Sequence, residues 1–229
     1  MSDIKRFIEE LKMYSGNMVF NPWRDYDVVY DISKDAPAIR CFHLETYLRL
    51  RTTKTRYIFL AEALGYQGGH FSGIAMTSER ILLGFHPSIN PTMVIGKSGQ
   101  RTSNATCTLL KKSVQERGFN EPTATIVWQA IIDNDIRPEE VVLWNIFPFH
   151  PYKSGGLLTN RTPTDIELEK GLMYLDSLRR LCSNAKVVCI GQKSFETMDS
   201  VGVKSVLRHP ANGGAAEFRK GIKELLATY

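Results

Sequence analysis

Three short, uninterrupted apolar runs dictate the architecture open to this chain: Tyr-Ile-Phe-Leu at 57–60, Val-Val-Leu-Trp at 141–144 and Val-Val-Cys-Ile at 187–190. A fourth segment, 203–207, ends in Val-Leu. Such runs are too short for helices and do not alternate with polar residues. They read as strands covered on both faces, the state of strands in parallel sheets. Between them apolar residues recur at helical spacing. Ile4, Phe7, Ile8 and Leu11 share a face before a stop at Gly16, and Ile39, Phe42, Tyr47 and Leu48 share one over 38–51. Leu168, Leu172, Leu175 and Leu178 line a helix that opens at Thr162-Pro163 or Thr164-x-x-Glu167 and runs to Cys182. Phe218, Ile222 and Leu225 line a last helix from about Ala215. Shorter helices are expected over 77–84, 103–117, 124–133 and after Gly191; the stretches 21–37, 87–99 and the one holding Pro148, Pro151, Gly155 and Gly156 read as loops. Strands alternating with helices predict an α/β sandwich built on a parallel sheet.

At 229 residues and 43% hydrophobic, the chain can bury one sizeable core. No apolar run approaches the length of a membrane span. The opening 1–15 mixes charges with apolar residues and lacks a signal-peptide core, so a cytoplasmic address is expected. Cys41, Cys107, Cys182 and Cys189 are scattered, which argues against a zinc ribbon and a secreted disulfide scaffold and favours plain buried thiols. The net charge of +5 is compatible with a polyanionic partner and favours one only slightly. No Gly-x-Gly-x-x-Gly or Gly-x4-Gly-Lys string marks a dinucleotide or nucleotide site.

Open parallel sheets bind ligands at the carboxyl ends of their strands. The first apolar run leads to Glu62 and a loop with Gly65, Gly68, Gly69 and Gly73; the second leads to Asn145; the third to Gly191 and Gln192; the fourth to His209, Pro210 and Gly213-Gly214. A carboxylate, an amide and an imidazole therefore converge on one edge. Glu62 has the chemistry to orient or activate a water, or simply to pair with a neighbouring cation. Asn145 offers one acceptor beside two donors, which matches a pyrimidine edge or satisfies the backbone of its own loop. A neutral His209 is able to donate to a developing oxyanion, or to serve as a structural hydrogen bonder. Gly213 and Gly214 at a helix start present N–H groups to a phosphate, or only make the entry turn. His86-Pro87-Ser88 is a competing histidine motif, but it falls between helices and not at a strand end.

In order along the chain these segments resemble the motifs of the uracil-DNA glycosylase superfamily, most nearly its bacterial and archaeal family four. Leu60-Ala61-Glu62-Ala63-Leu64-Gly65 resembles the water-activating Gly-Glu-Ala-Pro-Gly motif, and Gly73-Ile74-Ala75-Met76 the Gly-x-Pro-Phe segment after it. Asn145 with Asn160-Arg161-Thr162-Pro163-Thr164 resembles the base-reading Asn and its downstream stretch, and Arg208-His209-Pro210-Ala211 the His-Pro-Ser motif. The resemblance implies a three-layer α/β/α sandwich with a four-stranded parallel sheet, one domain over 1–229 in which 1–55 is a helical segment packed on the rest, acting as a monomer. It implies a DNA partner, single- or double-stranded, and hydrolysis of the glycosidic bond of a flipped uracil or related deaminated base. By that carry-over Glu62 positions water, Asn145 reads the base edge and His209 stabilises charge on O2. Ala63, Met76 and Phe71 line the base pocket, Phe71 or Tyr66 replacing the stacking aromatic that is absent at Met76, and Gly213 and Gly214 lie near DNA phosphates.

Departures accompany the match: Ala61 and Leu64 stand for the motif's Gly and Pro, and Ala211 for its Ser. Met76, Leu64 and Ala211 support a rival reading, a nucleic-acid- or base-binding protein of the same fold with impaired catalysis. A flavodoxin-like small-molecule binder fits the fold but not Asn145 with His209. Family four holds an iron–sulfur cluster through four cysteines. Phe149-His150-Pro151 and Glu167-Leu168-Glu169 stand near two of those ligand positions without a Cys, so no cluster, cofactor or catalytic metal is expected.

Overall fold

The computed structural model describes residues 2–227. In chain order the elements are α1 (Asp3–Lys12), β1 (Val19–Phe20), α2 (Ala36–Arg49), β2 (Tyr57–Ala63), α3 (Gly69–Ser72), α4 (Glu79–Leu82), α5 (Pro91–Ile95), α6 (Lys112–Arg117) and α7 (Pro122–Asp133). They continue with β3 (Val141–Phe147), β4 (His150–Pro151), α8 (Asp165–Leu181), β5 (Lys186–Ile190), α9 (Gln192–Asp199), β6 (Val206–Leu207) and α10 (Ala215–Ala227). The four expected strands form one parallel sheet in the order β3-β2-β5-β6. All seven residues of β3 and the first five of β2 are buried, so both faces of the central strands are covered. Helices lie around the sheet, giving the expected α/β/α sandwich.

Helix α8 shows why these residues form this element in this place. Thr164 and Glu167 complete a reciprocal capping box at its start, and Arg179 and Arg180 occupy its last turn. Gly171 then lets the helix lie directly on β3: a Cβ there would stand 2.1 Å from the carbonyl oxygen of Ile146. The N-terminal helices are tied to the same core. Phe7, Leu11, Leu44 and Tyr47 pack in it. Arg51, fully buried, donates to the carbonyls of Tyr47, Met93, Val94 and Val141. Arg40 forms a buried two-bond pair with Asp31 and also bonds the carbonyls of Pro22, Asp25 and His70, which orders much of the stretch 21–37.

Three local expectations need correction. The segment 103–117 is helical only over Lys112–Arg117. The start of the segment is instead paired with a distant stretch: Ser103 bridges Asp31 in antiparallel fashion, the Thr102 carbonyl accepts the Ile32 N–H and the Asn104 N–H donates to the Tyr30 carbonyl, each at 2.7 Å, so this backbone is extended and its groups are not available to a helix. The stretch 87–99 contains α5, opened by Asn90 as cap and Pro91 as first residue. The stretch after Asn145 holds β4, paired antiparallel with β1 through Phe20–His150 and Val19–Pro151. No helix among the described residues is long and apolar enough to cross a membrane.

Candidate active site at the strand ends

A cavity of about 490 Å³ opens at the carboxyl ends of the parallel strands. Residues 61–65 at the end of β2 form one wall, Asn145 enters from β3, 191–194 open α9 on another side, and His209 follows β6. Glu62, Ala63, Met76, Asn145 and His209 thus line a single pocket. Phe71, Gly213 and Gly214 do not belong to its wall.

Asn145 lies within β3, two residues before its end, opposite Ala61 in the ladder, with Phe147 opposite Ala63. Alternation puts Asn145, Ala61 and Ala63 on one face of the sheet, where the two alanines leave room beside the amide. The residue is 2% exposed, and its Oδ1 has no hydrogen-bond partner within the protein. Its amide therefore does not hold the loop that follows. An unsatisfied buried acceptor costs about 1–3 kcal/mol, so this one marks a place for a donor.

His209 is half-buried, and its Nδ1 accepts the backbone N–H of Ala211 at 3.1 Å. That bond places the proton of the neutral ring on Nε2. Burial, and then the neighbouring Arg208, push its pKa below the usual histidine value, so the ring is neutral at pH 7. The N–H of Gly214 is engaged with the Ala211 carbonyl at 3.1 Å, which corrects the expectation that it is free for a phosphate. Gly214 is instead needed for close approach, since a Cβ there would stand 2.1 Å from the His209 carbonyl oxygen. Gly213 is exposed with φ +81°, at the tip of the same turn.

Glu62 is half-buried with Lys193 Nζ at 3.7 Å from its carboxylate, and Lys193 also donates to Thr162 Oγ1 at 3.1 Å. Met76 is buried at φ +45°, a left-handed backbone unusual for a long side chain, and lies on the pocket wall. Phe71 is not a pocket aromatic. Its ring stacks on Phe119 at 4.1 Å in a separate cluster with Cys107 and Leu110. His86 lies outside the pocket: its Nδ1 accepts the N–H groups of Ser88 and Ile89, each at 3.2 Å, which explains it as a turn residue.

Sequence reasoning missed Glu121 and Lys193, which also line the pocket, as do Asn160 and Arg161 of the motif stretch after Asn145. Arg161 is clamped by Glu167 through two 2.7 Å bonds. Glu121 is half-buried, yet its Oε2 is sealed from solvent without a partner, and burial pushes its pKa up to about 7. An acid just before Pro122 reads in the sequence as an ordinary helix cap. Nothing local reveals that it faces residues 65–68.

Among the described residues no group of three or more His, Cys, Asp or Glu side chains is arranged to hold a metal ion. His150, near one cluster position, bonds the Thr159 carbonyl through Nε2 at 2.7 Å and His70 through Nδ1 at 2.8 Å.

Fold and pocket define a three-layer α/β/α protein with a cavity at the carboxyl ends of a four-stranded parallel sheet. Among solved structures the chain is similar to wild-type SMUG2 of Pedobacter heparinus, with a TM-score of 0.60 over 100% of this chain and 97% of that one, at 14% identity. Likeness at that identity establishes the shared fold. No protein-family model matches the sequence, and no curated protein matches it.

Proposed function

We propose that this protein is a DNA glycosylase that hydrolyses the N-glycosidic bond of uracil, or a related deaminated base, flipped out of DNA in base-excision repair. The observation that carries the reading is the buried, unpartnered Asn145 amide in one pocket with Glu62 and His209. Asn145 Oδ1 accepts N3–H of uracil while Nδ2 donates to O4, a pattern that cytosine does not present. As the C1′–N1 bond breaks, the electron pair leaves with the base. His209 donates its Nε2–H to O2, where that charge collects. Water attacks C1′ and gives its proton to Glu62, with Lys193 beside the carboxylate. Ala63 and Met76 complete the wall around the base. Lys193 and Arg208 on the rim, with Gly213 at the turn tip, meet the phosphates, and the net charge of +5 favours a polyanion generally. SMUG2, which shares the fold, belongs to the same superfamily as the motifs that this sequence resembles.

The deciding experiment is incubation with single-stranded and duplex oligonucleotides carrying one uracil or hypoxanthine, followed by alkaline cleavage of abasic sites. Strand scission at the lesion is expected. Tight binding of the same oligonucleotides with no scission would replace this reading by that of a base-binding protein. The departures at Leu64, Met76 and Ala211 favour that alternative.

A further inference from the structure

Six buried side-chain polar atoms among the described residues lack a hydrogen-bond partner, and two of them belong to residues lining this one pocket: Asn145 Oδ1 and Glu121 Oε2. Glu121 occupies the cap position of α7 but makes no capping bond. Its side chain turns instead toward the loop that follows β2. A Cβ on Gly68 would stand 2.1 Å from Glu121 Oε2, so the carboxyl lies flat on the backbone of that loop where only glycine leaves space. A carboxyl held away from its cap, with one oxygen sealed from solvent and without a partner, is the arrangement of a group that awaits a ligand.

We propose that Glu121 is a further base-contacting residue of the pocket, whose carboxyl donates its O–H to a carbonyl oxygen of the bound base beside the edge read by Asn145. This rests on the glycosylase reading above. A neutral carboxyl has one donor to offer; an ionised one has only acceptors, which repel a base carbonyl. The charged or titratable side chains on the same wall are Glu62, Arg161, Lys193, Arg208 and His209, and none forms an ion pair with Glu121. Its raised pKa of about 7 is due to burial alone. His209 is pushed downward and titrates on the acid side. The contact is therefore made below neutrality and lost above it.

The test is single-turnover cleavage of a uracil oligonucleotide by the full chain between about pH 5.5 and 9, with Glu121→Gln and Glu121→Ala beside the parent. Calorimetric titration with free uracil at both ends of that range accompanies it. The parent should lose about tenfold in rate per pH unit above neutrality, with uracil binding falling in parallel. Glu121→Gln keeps an N–H donor of similar shape and should remove that alkaline limb. Glu121→Ala should cleave and bind about 10–100-fold more weakly on the acid side. If Glu121→Ala does not fold, the limb in Glu121→Gln decides. A parent that cleaves uracil with the same alkaline limb in both variants overturns the role of Glu121 and leaves the glycosylase reading intact. A parent that neither cleaves nor binds uracil overturns both.

Discussion

At the scale of single residues, the site is built from groups that the fold leaves incomplete. Asn145 is held inside a strand with an acceptor unmet, and His209 has its tautomer set by one backbone N–H. Asn145→Asp exchanges the amide donor for an acceptor. It should lower uracil cleavage by roughly 10²-fold and raise cleavage of cytosine above the parent's background. Single-turnover rates on paired U and C oligonucleotides measure both, and an unchanged uracil rate would remove Asn145 from the site. His209→Ala should lower cleavage by roughly 10²–10³-fold while DNA affinity stays nearly constant, because phosphate contacts dominate affinity. His86→Ala is the control. Its ring closes a turn outside the pocket, so cleavage should remain at the parental rate. A large loss at His86 with none at His209 would invert the assignment.

At the scale of elements, the positions of Glu62, Ala63 and Asn145 depend on how strands continue beyond their apolar runs. β2 runs to Ala63 and β3 to Phe147, so these three side chains sit within strands and not on loops. That gives them rigid support, which the proposed reading of a base edge by Asn145 needs. The packing of α8 on β3 secures the same strand one residue from Asn145. Gly171→Ala tests this support. The substitution gains about 1 kcal/mol of helix propensity. Against it stands a clash at 2.1 Å with a backbone carbonyl that cannot swing aside. The clash should prevail, giving a net loss of about 1–3 kcal/mol in urea unfolding. Uracil cleavage should fall with DNA binding retained. A variant as stable as the parent would mean that α8 slides on the sheet without cost.

At the scale of the whole molecule, buried titratable groups shape stability against pH from both sides. Burial pushes His43 and His70 down, and His150 down to about 4. These rings stay neutral in the folded chain but take up protons once unfolded, so their contribution is complete above about pH 6.5 and is lost as pH falls toward 4. Glu121 works in the opposite sense. Its carboxyl is raised to about 7 from 4.5, so stability falls as pH rises through that window and is level above it. Three histidines outweigh one acid, and the urea midpoint should drop steeply between about pH 6.5 and 4.5. Glu121→Gln should raise the midpoint more at about pH 8.5 than at 5.5. Equal gains at the two pH values would show that Glu121 ionises in the folded protein as it does unfolded.

What could be read without coordinates was the part governed by short-range pattern. Uninterrupted apolar runs imply strands covered on both faces, and their alternation with helical periodicity implies a parallel sheet. The ends of such strands must converge, which brought Glu62, Asn145 and His209 together before any geometry was known. The β1–β4 pair was not legible, because two-residue strands carry no periodic signal. The helical spacing over 103–117 was misleading, because the distant residues 30–32 pair with the backbone of 102–104 and hold it extended. Phe71 was placed by its stacking partner Phe119, and Glu121 by the glycine loop it lies on. Local pattern records which faces are apolar. Which polar atom is left without a partner depends on chain segments far apart in sequence, and only their packing decides it.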